Sequence, residues 1–186
     1  LYTFDRTSRE RRSAQTVLDR VLRSLLVLLA PGLTFTAEDA YQTLPRRSHP
    51  SVLLEDWPEI RPCDGALLAR WERFFEFRRA AMKAIEEQRA AGKVGSGLEA
   101  SLTVACDEDW RSFLSSFDGI ERLLMVAEVR LVEGSAGVSV SAARTSLPKC
   151  ARCWVHTPDV GVDDTRADLC GKCADVVRRQ AAEAGP

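Results

Sequence analysis

The sequence has only two histidines, two methionines and two tyrosines, and its longest unbroken apolar run is the six residues 25–30. A membrane-spanning helix needs about 20 predominantly apolar residues, so no membrane partner is expected. Net charge is also scarce. Twenty-six Lys and Arg face 27 Asp and Glu, which leaves −1 and no overall basic field to draw in nucleic acid. Glycine (11) and proline (8) are too few for a collagen-like or low-complexity chain. The opening has no secretory character: Arg6, Arg9, Arg11 and Arg12 are interleaved with Asp5 and Glu10, and no apolar core region follows them. The expected location is cytoplasmic. The chain opens on Leu1 and not on Met, so it reads as a fragment or a processed product.

Catalytic constellations are missing too. There is no Ser/His/Asp arrangement and no glycine fingerprint for a nucleotide in strand context. Gly92-Lys93-Val94-Gly95-Ser96-Gly97 is not followed by the G-K-[ST] of a phosphate loop and reads as a flexible connection. No catalytic residue is assigned. What remains is ordinary for a globular chain of one or two small domains: 186 residues, 45% hydrophobic and 28% charged.

Cysteine is the exception. Cys150, Cys153, Cys170 and Cys173 form C-x2-C-x16-C-x2-C, within the window for a structural zinc site. Thiolates two residues apart fit a tight knuckle and face one ion, and four of them close a tetrahedron at about 2.3 Å per Zn–S bond. Gly171 suits the turn between ligands. Two disulfides are the competing reading, and the lack of a secretory signal argues against it. Four cysteines leave no open position, so the zinc is structural, one ion per chain. Cys106 ends the alternating run Leu102–Cys106 and reads as a small buried hydrophobe; Cys63 reads the same way. His49 and His156 read as loop histidines, although His156 lies close enough to Cys153 to compete as a ligand.

The expected fold class is α+β in three parts. Residues 1–92 form a partial helical bundle. A capping box at Thr7-Ser8-Arg9-Glu10 opens a helix of about six turns with Leu18, Leu22, Leu25 and Leu29 on one face, stopped by Pro31-Gly32. Thr36 caps a short helix that runs through Tyr41 to Leu44. After a proline-rich stretch, Asp64 caps a long helix ending near Gly92, with its apolar face at Leu67, Leu68, Trp71, Phe74, Phe75, Met82 and Ile85. Residues 93–146 form a small α+β junction unit: strand 101–106, helix 108–117, strand 123–132 and strand 138–143. Residues 147–186 form a zinc-ribbon-like module closed by a helix over 174–184.

The residues around the cysteines carry a resemblance. Lys149-Cys150-Ala151-Arg152-Cys153-Trp154 and Leu169-Cys170-Gly171-Lys172-Cys173 resemble the K-C-x-R-C-W and L-C-x-R-C of the C-terminal zinc module of bacterial isoleucyl-tRNA synthetases. The same finger is related to that of formamidopyrimidine-DNA glycosylases, so the rest of the chain decides. Leu29–Glu38 resembles the synthetase segment L-A-P-x-L-x-F-T-A-E, and Ser51–Pro58 resembles S-V-H-L-x-D-W-P, with Leu53 in place of the histidine. Lys83-Ala84-Ile85-Glu86 and Lys93–Ala100 resemble K-x-I-E and K-x-I-G-x-S-L-E-A, and Leu1-Tyr2 matches the end of K-D-R-L-Y. These landmarks stand in family order over nearly the whole chain. The glycosylase alternative would need an N-terminal proline followed by an acidic residue, and a basic hairpin. Here Leu1-Tyr2 opens the chain, and Asp159, Asp163, Asp164 and Asp168 lie between the cysteine pairs.

The resemblance implies the C-terminal part of an aminoacyl-tRNA ligase: the end of its anticodon-binding helical domain, then the zinc module. The parent, expected to be monomeric, joins isoleucine to its tRNA with ATP. Its ATP and isoleucine sites and its editing domain lie upstream, so this piece alone is inactive in aminoacylation. Its partners are isoleucine tRNA and those upstream domains. Single-stranded loop bases are read by stacking and by hydrogen bonds to their edges. Trp154 is therefore a candidate stacking platform, with Arg152 and Lys149 as candidates for phosphate or base-edge contacts. The competing reading of Trp154 is packing over the module's small core. A zinc ribbon with a purely structural or protein-binding role is the third alternative.

Overall fold

The computed structural model describes residues 2–60, 62–134 and 137–184; Leu1 of the Leu1-Tyr2 landmark lies outside them. The chain divides into two compact units, Leu1–Cys63 and Asp64–Pro186.

The first unit is helical. Helix α1 spans Arg9–Leu29. Its N-cap is Ser8, whose hydroxyl accepts from the Arg11 N–H at 3.3 Å. Thr7 was expected to cap it, but its hydroxyl and N–H are both taken by the Asp5 carboxylate at 2.7 and 2.8 Å. Helix α2 spans Thr34–Gln42. It starts two residues before the expected Thr36 cap, because the Leu33 carbonyl already accepts a helical bond from the Ala37 N–H at 2.8 Å. The core here is Leu26, Ala30, Ala37, Tyr41, Leu44 and Val52. The proline-rich stretch is fastened by two carboxylates. Glu38 accepts from the Ser51 hydroxyl at 2.8 Å and the Val52 N–H at 2.9 Å, and Glu55 accepts from the buried Tyr41 hydroxyl. His49 lies 3.5 Å from Glu55 at the surface of this loop. Cys63, expected to be buried, is exposed. The opposite face of α1 is uncovered: Leu18, Leu22, Leu25 and Leu29 are 43–54% exposed.

The second unit is α+β. Asp64 caps α3, Gly65–Ala90, its carboxylate accepting from the Leu67 N–H at 3.1 Å. Strand β1, Ala100–Cys106, alternates fully, with Ala100, Leu102, Val104 and Cys106 all at 0% exposure. It is the centre of a three-stranded sheet ordered β2-β1-β3. Strand β2, Glu128–Glu133, runs parallel to β1, pairing Leu102 with Val129, and β3, Val138–Arg144, runs antiparallel, pairing Leu102 with Ala142. The parallel pair needs a crossover, and α4 (Glu108–Ser115) and α5 (Ile120–Leu124) supply it. The strand expected over 123–132 is thereby split. Met125 adopts a left-handed backbone at φ +56° and ends α5, and pairing begins only at Glu128.

Helix α3 packs on this sheet. Phe74, Phe77, Ala81 and Ile85 share one core with β1, Leu114 and Leu124. The expected boundary at residue 92 therefore does not coincide with the packing, which joins α3 to the strands and parts the chain at Cys63. Phe77 is fully buried, whereas Leu67, Leu68 and Phe75, placed on the apolar face from the sequence, are 48–49% exposed. The expected flexible connection at 92–97 is pinned by Val94, buried at 3% exposure in the same core. Two arginines of α3 have structural roles. Arg70 lies 4.4 Å over the Phe117 ring, and Arg73 lies 4.3 Å over Trp110 and pairs with Asp109.

Candidate metal and nucleic-acid site

Past β3 the chain makes two short hairpin-like turns that each carry a cysteine pair. In the first, Lys149 and His156 form an antiparallel bridge, the Cys150 N–H donates to the Val155 carbonyl at 3.0 Å, and the Trp154 N–H donates to the Cys150 carbonyl at 2.9 Å. In the second, Val160 bridges Cys170, and helix α6, Gly171–Ala184, follows at once. The helix begins three residues before the expected start, so Cys173 stands in its first turn. Its first N–H, on Gly171, donates to the Asp159 carboxylate at 2.9 Å, and a Cβ there would come 3.1 Å from that oxygen. Glycine is thus favoured at this position by close approach. The two turns are tied together by the Ala151 N–H, which donates to the Asp168 carbonyl at 3.0 Å.

This scaffold brings the four sulfurs of Cys150, Cys153, Cys170 and Cys173 within 4.8 Å of one another. Four sulfurs at about 2.3 Å from one ion would stand ~3.8 Å apart, and Cys153 Sγ and Cys170 Sγ are 3.8 Å apart. Cys150, Cys170 and Cys173 are buried, and Leu169, Ala174, Val160 and Val177 pack around them. Burial pushes the Cys150 thiol up, but the peptide N–H groups of Cys153, Cys170 and Arg152 outweigh it and bring the thiol to about 6. The Cys153 and Cys170 thiols are pushed up, first by burial and then by their sulfur neighbours. A divalent ion would hold all four as thiolates. The donor set is all sulfur, mostly buried and closed, as suits a structural zinc. His156 is not part of it: its Nδ1 lies 2.7 Å from the Leu147 carbonyl, in keeping with a loop histidine.

The residues put forward for RNA contact separate. Trp154 takes a left-handed backbone at φ +65°, and the residue is 63% exposed. It is absent from the module's core, which is the cysteines with Leu169 and Ala174. Lys149 Nζ lies 5.5 Å from the Trp154 ring centroid, within cation–π reach. Arg152 faces the other way, its Nη1 lying 3.6 Å from Cys173 Sγ. The knuckle itself was legible from spacing; this inward turn of Arg152 was not, since spacing says nothing of side-chain direction. Two of the four aspartates between the cysteine pairs, Asp159 and Asp163, have structural roles. Asp159 caps α6, and Asp163 accepts from the Thr165 hydroxyl at 2.6 Å and from Arg178 at 2.8 Å.

Comparison with known proteins agrees with this geometry. A family profile described as "Anticodon-binding domain of tRNA ligase" matches residues 1–104. A second, "Zinc finger found in FPG and IleRS", matches residues 148–176 and so covers all four cysteines. Similar proteins include the isoleucine–tRNA ligases of Geobacter sulfurreducens, 38% identical over 190 residues, and of Natranaerobius thermophilus, 38% identical over 197; each alignment covers 95% of this chain. The enzyme of the same name from Kosmotoga olearia is 36% identical over 193 residues, covering 96%. The chain spans 21% of the length of each of these three relatives. With the first profile matching more than half of its residues, the chain belongs to the family of anticodon-binding domains of tRNA ligases.

Proposed function

We propose that this chain is the tRNA-recognition region of an isoleucine–tRNA ligase and that it reads the anticodon loop of isoleucine tRNA. The whole enzyme would join isoleucine to that tRNA with ATP, in the cytoplasm and as a monomer. The ATP and isoleucine sites would lie on upstream domains, so this piece would bind RNA without aminoacylating it. The observation that carries the reading is the exposed Trp154 indole on the sulfur-bound knuckle, with the Lys149 ammonium beside its ring. A flat ring held by a rigid turn can receive an unstacked base, and the adjacent cation can meet its phosphate. Trp154 and Lys149 are the RNA-facing pair of this proposal. The zinc is structural: Cys150, Cys153, Cys170 and Cys173 would hold it, and its part is to set the knuckle that presents Trp154.

The test is a titration of the zinc-loaded chain with isoleucine tRNA and with the same tRNA carrying altered anticodon bases, at one fixed salt concentration. Loss of binding on changing the anticodon supports the proposal, and Trp154→Ala is then expected to cost about 1–3 kcal/mol of affinity. Equal binding of all the RNAs would reduce the contact to charge alone. If neither this chain nor a full-length ligase containing it discriminates between the anticodons, the knuckle is a structural ribbon and the proposal falls.

A further inference from the structure

Four thiolates around a divalent ion leave a net charge of −2 in a mostly buried site. Such a cluster needs donors to its sulfurs, because hydrogen bonds from outside the ligand set fix ligand orientation and tune the metal. The backbone provides some of them. The Cys170 N–H donates to Cys150 Sγ at 3.3 Å. A charged donor reaches a different sulfur: the guanidinium of Arg152, with Nη1 3.6 Å from Cys173 Sγ.

The placement of that arginine is specific. Arg152 lies inside the first knuckle, between Cys150 and Cys153, and is half-buried. Cys173 is the last of the four cysteines and sits in the first turn of α6. The contact therefore spans the two halves of the ligand set, 21 residues apart in sequence. Arginine suits the position because its delocalised cation is weakly hydrated, tolerates partial burial and stays charged at any working pH. The nearby Lys149 is engaged elsewhere, over the Trp154 ring.

We infer that Arg152 is a positioning residue of the metal centre: its guanidinium donates to the Cys173 thiolate, offsets part of the cluster's negative charge and slows loss of the ion. This rests on the reading that the four cysteines hold zinc. The arginine of the first knuckle then serves the metal and leaves RNA contact to its neighbours.

The experiment measures zinc release from the loaded chain to an excess of a chromogenic chelator, for the wild type, R152A, R152K and R179A. Arg179 lies on the exposed side of α6 and removes the same charge from the same module away from the sulfurs. R152A is expected to release zinc roughly 10–100-fold faster, R152K to fall between it and the wild type, and R179A to match the wild type. A cobalt-substituted sample adds a spectroscopic readout. R152A is expected to shift the thiolate-to-cobalt charge-transfer band while keeping the strong visible bands of a tetrahedral site. Release from R152A at the wild-type rate overturns the inference, and so does equal acceleration in R152A and R179A. If R152A does not fold, R152K against R179A decides in the same way. A wild-type chain that takes up no zinc would instead overturn the metal reading itself, so the two failures are distinguishable.

Discussion

Trp154 occupies a backbone region that bulky residues seldom enter, at φ +65°. The spacing of the cysteines placed this tryptophan beside the knuckle but left open whether its ring was core or surface. In the structure the residue is exposed and lies outside the cluster of Leu169 and Ala174, and its left-handed backbone is a local conformation not written in residue types. Asp163 shows a second residue whose role depends on folding. The Thr165 hydroxyl donates to its carboxylate, and so does the Arg178 guanidinium from α6; together they hold its carboxyl at about 2. A carboxylate with a depressed pKa lends stability that is complete above the ordinary aspartate value near 4 and lost as pH falls through the folded value. The expected outcome is a lower melting temperature for zinc-loaded D163N than for the wild type at neutral pH, above the ordinary aspartate value, where this contribution is complete. Equal melting temperatures would mean that neither the Thr165 nor the Arg178 contact persists in solution.

Among the elements, α6 depends most on the metal. Helices shorter than about 12–15 residues are marginal alone in water, and α6 has 14. Its first turn contains Cys173, and Cys170 directly precedes it, so an ion on the cysteines would fix the first turn and remove the cost of starting the helix. Chelation of zinc is therefore expected to melt α6 while the β1–β2 and β1–β3 pairings survive. Amide exchange would show protection lost over residues 150–184 and kept over 100–106; uniform loss would contradict it. The sequence made α1, α3, β1, α4 and β3 legible through period and caps, Asp64 above all. It misplaced the start of α2, where backbone bonding from Leu33 overrode a plausible threonine cap. It also ran a strand through Leu123–Leu124, which α5 and the turn at Met125 claim instead. The four cysteines were readable because their chemistry depends on local spacing. The Arg152–Cys173 contact was not, because it joins residues 21 apart through a side chain.

For the molecule as a whole, the surface of α1 has the clearest consequence. Leu18, Leu22, Leu25 and Leu29 recur at helical spacing on one face, and each is roughly half exposed. Stripes of this kind are characteristic of association surfaces. The chain is expected to self-associate as its concentration rises, and L22E/L25E to shift it toward a monomer in light scattering behind size exclusion. A monomer at all concentrations in both forms would show the stripe to be inert. The packing of α3 on the sheet carries a different consequence, one of timing. Phe77 has its place only against strands that follow it in the chain, and β3 begins 61 residues later, at Val138. At about 5–20 residues per second, the growing polypeptide would carry those aromatic rings uncovered for roughly 3–12 seconds. During that interval the emerging helix offers the ribosome's surroundings, chaperones included, a binding surface that the finished fold no longer presents.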